Sequence, residues 1–147
     1  MTLALVDVVR EHWGWTGVAP AQVTATSPFG HLVVKDEAGA FWYLDPEIRE
    51  LNRIADDDSG LARYFSDKVV RFTWDATVLV AAAHERLGPP GEGRCYSLKP
   101  HALLQGDYAP ENLCILPIAE VVGWTGDVER QTRHLPQGAS FALKVVD

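Results

Sequence analysis

Residues 31–45 read HLVVKDEAGAFWYLD: two β-branched and aromatic runs flank a short stretch that holds a glycine. Such residues favour extended backbone, and a Gly-containing link between two such runs is a hairpin signal. The chain is therefore expected to form strands at HLVVK (31–35) and FWYLD (41–45), joined by a tight turn. Asp45 precedes Pro46, which pushes Asp45 toward extended geometry. Beyond it, PEIRELNRIA reads as a short helix with Pro46 near its start, ADDDSG as a turn, and LARYFSDK as another short helix.

The remaining segments divide by period. Leu3, Val6, Val9 and Trp13 recur on one face of a first helix that Thr2 can cap, and WGWTGVAPA breaks it with Gly and Pro. Residues 74–87, WDATVLVAAAHERL, are apolar on nearly every side, the pattern of a buried helix, with Val78, Leu79 and Ala82 expected in the core. RCYSLKP, NLCILP and FALKVV read as strands. Residues 118–133 read as a long helix that places Ile118, Val121, Val122, Thr125 and Val128 on one face. Between two of those strands, GDYAPEN (106–112) holds turn-forming residues, each with a structural job, so it reads as an architectural turn. The order of elements predicts an α+β fold: a single domain over 1–147, with a mixed or antiparallel sheet packed with helices. Its front half would run to about residue 68 and its back half from about residue 69.

Charge is unevenly placed. The chain carries a net charge of −7. Residues 36–67 hold nine of the twenty acids against Arg49, Arg53 and Arg63, so this segment carries nearly the whole imbalance. Direct nucleic-acid binding needs the opposite sign, whereas a basic protein partner would be attracted. The chain has no apolar run long enough to span a bilayer, and its start lacks the basic region of a signal peptide. A cytoplasmic location is the expectation. Cys95 and Cys114 do not make a disulfide framework and read as buried, reduced thiols.

The patterns of common chemistry fail in turn. There is no G-x-S-x-G elbow, no H-E-x-x-H, and no P-loop Lys followed by Ser or Thr in GPPGEG. Cys95, His101 and Cys114 lack the close pair that a zinc site usually shows. In Asp56-Asp57-Asp58-Ser59-Gly60 the glycine stands at position 5, where a calcium loop needs it at 6. Asp45 with Glu47, and Asp107 with Glu111, are the nearest carboxylate pairs, and neither has a recognisable polar surround. No catalytic residue, metal site or cofactor is expected.

Several segments carry a family resemblance: FGHLVVKDEAGAFWYLDPEI (29–48), RLGPPGEGRCY (86–96), the Pro-x-Ala-Leu run at 100–103, the turn GDYAPENL, the helix ending in GDVERQ, and LPQGASFALKV (135–145). In order and spacing, residues 29–147 resemble the C-terminal domain of bacterial type VI secretion immunity proteins, which is often paired with a GAD-like domain. His101 interrupts the run at 100–103, and Gln105 stands where a second glycine is common. The resemblance implies a non-enzymatic protein that binds a cognate antibacterial toxin in the cytoplasm, a DNase or another nucleotide-targeting toxin. Asp36, Glu37, Asp45, Glu47, Glu50, Asp56, Asp57 and Asp58 would then supply the electrostatics, with Trp42 or Trp15 as aromatic anchors. Neither nucleic acid nor membrane is an expected partner. An adaptor or regulatory binding domain, or a small enzyme with an unrecognised site, are the competing classes.

Overall fold

In the computed structural model, residues 4–98 and 110–134 are described. The first described element is helix α1 (Leu5–Trp13), which a 3-10 turn at Gly14–Thr16 ends. Four strands follow: β1 (Pro20–Thr26), β2 (Leu32–Asp36), β3 (Phe41–Asp45) and β4 (Glu50–Ala55), in an antiparallel sheet of that order. Helices α2 (Asp58–Ser66), α3 (Lys68–Asp75) and α4 (Thr77–Leu87) come next. A two-stranded antiparallel sheet, β5 (Arg94–Leu98) with β6 (Leu113–Pro117), leads directly into α5 (Ile118–Thr132). This is an α+β fold with antiparallel sheets, as the order of elements predicts.

The expected hairpin forms. Val33 pairs with Tyr43 and Val34 with Trp42. Asp36 holds its turn by accepting hydrogen bonds from Ala38 N and Ala40 N, both at 2.9 Å. Alternation then sends successive side chains to opposite faces. Leu32, Val34 and Leu44 pack against Val8, Val9 and Trp13 of α1 and Val121 and Val122 of α5, with Trp42 half-buried beside them. Val33, Phe41 and Tyr43 form the other face, under Leu61, Tyr64 and Phe65 of α2 and Trp74 of α3. A third cluster joins Phe29, Tyr96, Leu98 and Leu113 to Ala83 of α4.

Two strands depart from the sequence expectation. β1 overlaps the expected helix break at Pro20 and Ala21 and continues over 22–26, where no element is expected; it is an outer strand among the described residues, mostly exposed, and begins at Pro20, where a strand tolerates a missing N–H. More telling is β4, which lies where PEIRELNRIA reads as a helix. The Asp45 side chain accepts from Glu47 N at 2.9 Å, and Arg49 takes a left-handed φ of 57°. The chain therefore reverses instead of starting a helix. Leu51 then pairs with Leu44 and faces α1 and α5, while Ile54 joins the opposite cluster. Cross-strand pairing, with Leu51 and Ile54 partly covered in opposite clusters, overrides the helical propensity of a charged ten-residue segment.

The first helix shows a smaller shift: Val8, Val9 and Trp13 are its buried residues, with Leu5 and Val6 partly covered, and Thr2 and Leu3 lie outside the described residues. The helix at 74–87 is corrected more strongly. It divides at Ala76, which has a φ of 45°, into α3 and α4. Of α4, Ala83 is fully buried, Leu79 is partly buried against the third cluster, and Val78 is 77% exposed. The run VLVAAA (78–83) is apolar on nearly every side, so composition does not mark a buried face; neighbours decide which side is covered, and α4 packs against β6 and the 3-10 turn at 110–112. Val78→Glu is accordingly expected to change stability by no more than about 0.5 kcal/mol, checked by urea unfolding.

Elsewhere α2 begins at Asp58, inside the expected ADDDSG turn, α3 covers residues 69–73 where no element is expected, and α5 follows expectation. Ile118, Val121, Val122, Thr125 and Val128 are all buried on α5. Cys95 is fully buried, Cys114 partly so, and no disulfide joins them. The expected strand FALKVV and most of the GDYAPEN turn lie outside the described residues, as do His101 and Asp107. No helix among the described residues is long and apolar enough to cross a membrane.

Candidate functional site

The β2–β3 register brings together residues far apart in the sequence. Leu32 pairs with Leu44, so His31 lies one step further along, opposite Asp45. The turn before β2 fixes His31: its backbone N–H donates to Ser27 Oγ at 3.0 Å, and its carbonyl accepts from Ser27 N at 2.8 Å. Gly30, at a φ of 81°, completes that turn; a Cβ there would stand 3.1 Å from Cys95 Sγ. The imidazole is 4% exposed. Its Nδ1 lies 2.7 Å from the Tyr43 hydroxyl and its Nε2 lies 3.1 Å from Glu47 Oε1 and 3.4 Å from Asp45 Oδ1.

The electrostatics follow from this burial. Desolvation pushes the Asp45 carboxyl above its ordinary value, against the opposing pull of His31. Desolvation, and then the Asp45 and Glu47 charges, push the Tyr43 phenol far up, so it stays protonated. Burial likewise pushes the Cys95 thiol up to about 12, with Glu47 contributing, which leaves it protonated and a poor nucleophile. Among the described residues, His31, Asp45 and Glu47 place donor atoms within 4.8 Å of one another, a group that could hold a metal ion. Along the sequence the Asp45–Glu47 pair shows no polar surround: His31 arrives only through strand pairing, and Tyr43 shares a face with Asp45 only because β3 is extended.

Beside this cluster lies a hollow of about 250 Å³ between the β3–β4 turn, β4 and the helices α2 and α3. Tyr43, Asp45 and Tyr64 are among its lining residues, along with Ile48, Glu50 and Val69. Ile48 is 58% exposed and Val69 73% exposed, so apolar surface meets water at its rim.

The acidic residues singled out in the sequence separate into two groups. Phe41 pairs with Ala55 at one end of β3, and Asp45 with Glu50 at the other. Asp36, Glu37, Asp56, Asp57 and Asp58 therefore gather at the first end, and Asp45, Glu47 and Glu50 at the second. Four steps along β3 put about 13 Å between the ends. Several of these acids already have local work. Asp36 accepts from Trp42 Nε1 at 2.9 Å, which, with the turn amides, holds its carboxyl below the usual range. Asp57 caps α2 through Gly60 N at 2.8 Å. Asp56 pairs with Arg53 at 2.6 Å. Trp42, half-buried on the α1–α5 side and tied to Asp36, is a packing residue in this fold, and Trp15 is half-buried with its Nε1 donating to His12 O.

No protein-family model matches the chain, and no curated protein sequence matches it.

Proposed function

We propose that this chain is an immunity-type inhibitor that binds a cognate type VI secretion toxin in the cytoplasm, a DNase or another nucleotide-targeting toxin, and that the hollow beside β4 is its contact surface. The observation that carries this reading is that exposed Ile48 and Val69 line the same hollow as the Asp45 and Glu50 carboxylates. An apolar centre excludes water, and carboxylates beside it suit a surface built to hold phosphates. The order of segments over 29–147 supports the same reading by resemblance. The second acidic group, at Asp36, Glu37 and Asp56–Asp58, lies at the far end of the sheet and acts through steering rather than contact.

Protection against a lethal toxin requires slow release, hence a Kd of about 1 nM or below. The test uses the product of the gene adjacent to this one. Ile48→Asp and Val69→Asp each place a charge where apolar contact is proposed; each should raise the dissociation rate by about 30-fold or more, the scale of an interface anchor. Replacing Asp56, Asp57 and Asp58 by Asn should instead lower the association rate and flatten its salt dependence, while Asn still caps α2. Association and dissociation rates unchanged in all of these folded variants would overturn the reading.

A further inference from the structure

We propose that His31, Asp45 and Glu47 form a binding site for a divalent transition-metal ion of the zinc class, built into the β3–β4 turn. This goes beyond the partner-binding reading and does not depend on it.

The distances fit an ion as well as they fit a hydrogen-bonded clamp. An N–H···O bond is best at about 2.7–3.2 Å. The His31–Glu47 contact at 3.1 Å satisfies that range, but the His31–Asp45 contact at 3.4 Å does not. Donor atoms around a four-coordinate ion with bonds near 2.0–2.1 Å stand roughly 3.3 Å apart, and both contacts lie close to that edge. One imidazole nitrogen and two carboxylate oxygens suit zinc. Calcium and magnesium prefer shells of oxygen alone, calcium a larger one and magnesium one that keeps its waters.

The groups behind the donors are also in place. A metal-bound histidine generally has its other ring nitrogen held by a partner, which sets the tautomer. Here Tyr43 OH does this at Nδ1. With the ion on Nε2, the ring proton sits on Nδ1 and donates to the Tyr43 oxygen. The Asp45 carboxylate is steadied by the Glu47 amide. Two carboxylates brought this close in a half-dry site repel each other, and a dication removes that cost. Asp45 also lines the hollow, which gives an ion a route from solvent. The three donors leave a fourth tetrahedral position for water.

The test uses the whole chain, stripped with a chelator and dialysed. Zinc chloride is titrated by calorimetry, and cobalt chloride is followed by the visible bands of a four-coordinate ion. Magnesium chloride serves as the control. We expect one zinc per chain, a melting temperature that rises with zinc and not with magnesium, and affinity that falls in acid as protons compete for Nε2. Tyr43→Phe should weaken zinc by about 10–100-fold, the scale of losing a partner behind a ligand. Glu47→Gln and Asp45→Asn should weaken it further. His12, with Asp127 at 2.7 Å, is a competing surface donor, and His12→Gln should leave binding unchanged. If His31→Gln fails to fold, Glu47→Gln decides, since it keeps the shape and a hydrogen-bonding group. Absence of zinc binding, or binding that survives Glu47→Gln and Asp45→Asn but is lost in His12→Gln, overturns the proposal. Either result leaves the toxin-binding reading standing, because that reading is measured with the partner and without added metal.

Discussion

Replacing Trp13 by alanine is expected to cost about 3–5 kcal/mol, the scale of truncating a fully buried aromatic side chain. The indole is 1% exposed at the end of α1 and packs in the cluster that joins α1, the sheet and α5. Its Nε1 donates to the Val122 carbonyl at 2.9 Å, and its ring stacks on Trp15 with centroids 6.2 Å apart. Alanine removes the ring, opens a cavity at the meeting point of three elements and deletes a hydrogen bond across 109 residues of chain. A domain of this size is stable by roughly 5–15 kcal/mol, so the loss consumes a large share. At about 2–4 °C per kcal/mol, the melting temperature should fall by roughly 6–20 °C, followed by circular dichroism because the substitution changes the fluorescence. Trp13→Phe should cost clearly less, since most of the volume stays. A Trp13→Ala shift within about 2 °C would show that α1 does not pack on this core.

A second large effect is expected from the smallest of changes, Gly126→Ala in α5. Two opposing effects meet at this position. Alanine is the better helix former by about 1 kcal/mol, which favours the variant. An added Cβ, however, would lie 2.6 Å from the His12 carbonyl oxygen and 2.6 Å from Trp13 Nε1. The carbonyl belongs to the α1 backbone and cannot rotate away, so relief requires the two helices to separate. Overpacking of this kind typically costs about 1–3 kcal/mol and sometimes more, and separation also weakens the Trp13 contacts. The clash therefore wins, and Gly126→Ala should be net destabilising. Gly14→Ala supplies the control: its φ is −62°, nothing stands within 4 Å of its Cβ position, and the same substitution there should stabilise by about 0.4–1 kcal/mol. Equal stability changes in the two variants would mean that α1 and α5 do not approach at Gly126.

The α5 face and the β2–β3 hairpin were legible from residue order because both rest on short-range rules. Val121, Val122, Thr125 and Val128 share one side of any helix that forms there, whatever it packs against. HLVVK and FWYLD are extended for local steric reasons, and DEAGA can hardly do other than turn. The net acidity, the thiol state of Cys95 and the α+β class follow from similarly local counts. By contrast, β4 is a strand because Leu44 and Asp45 offer partners to Leu51 and Glu50, and no property of PEIRELNRIA alone reveals those partners. Val78 is exposed because α4 has a neighbour on one side, which its own apolar composition cannot reveal. The division of the acidic segment into two groups is a matter of strand length and direction. The His31–Tyr43–Asp45–Glu47 cluster depends on register: shifting β2 by one residue against β3 would send His31 to the opposite face from Tyr43 and Asp45. Sequence determined which residues could form each element and which charges the chain carries; tertiary structure decided which of them meet, because strand pairing and helix packing act between residues that no local period connects.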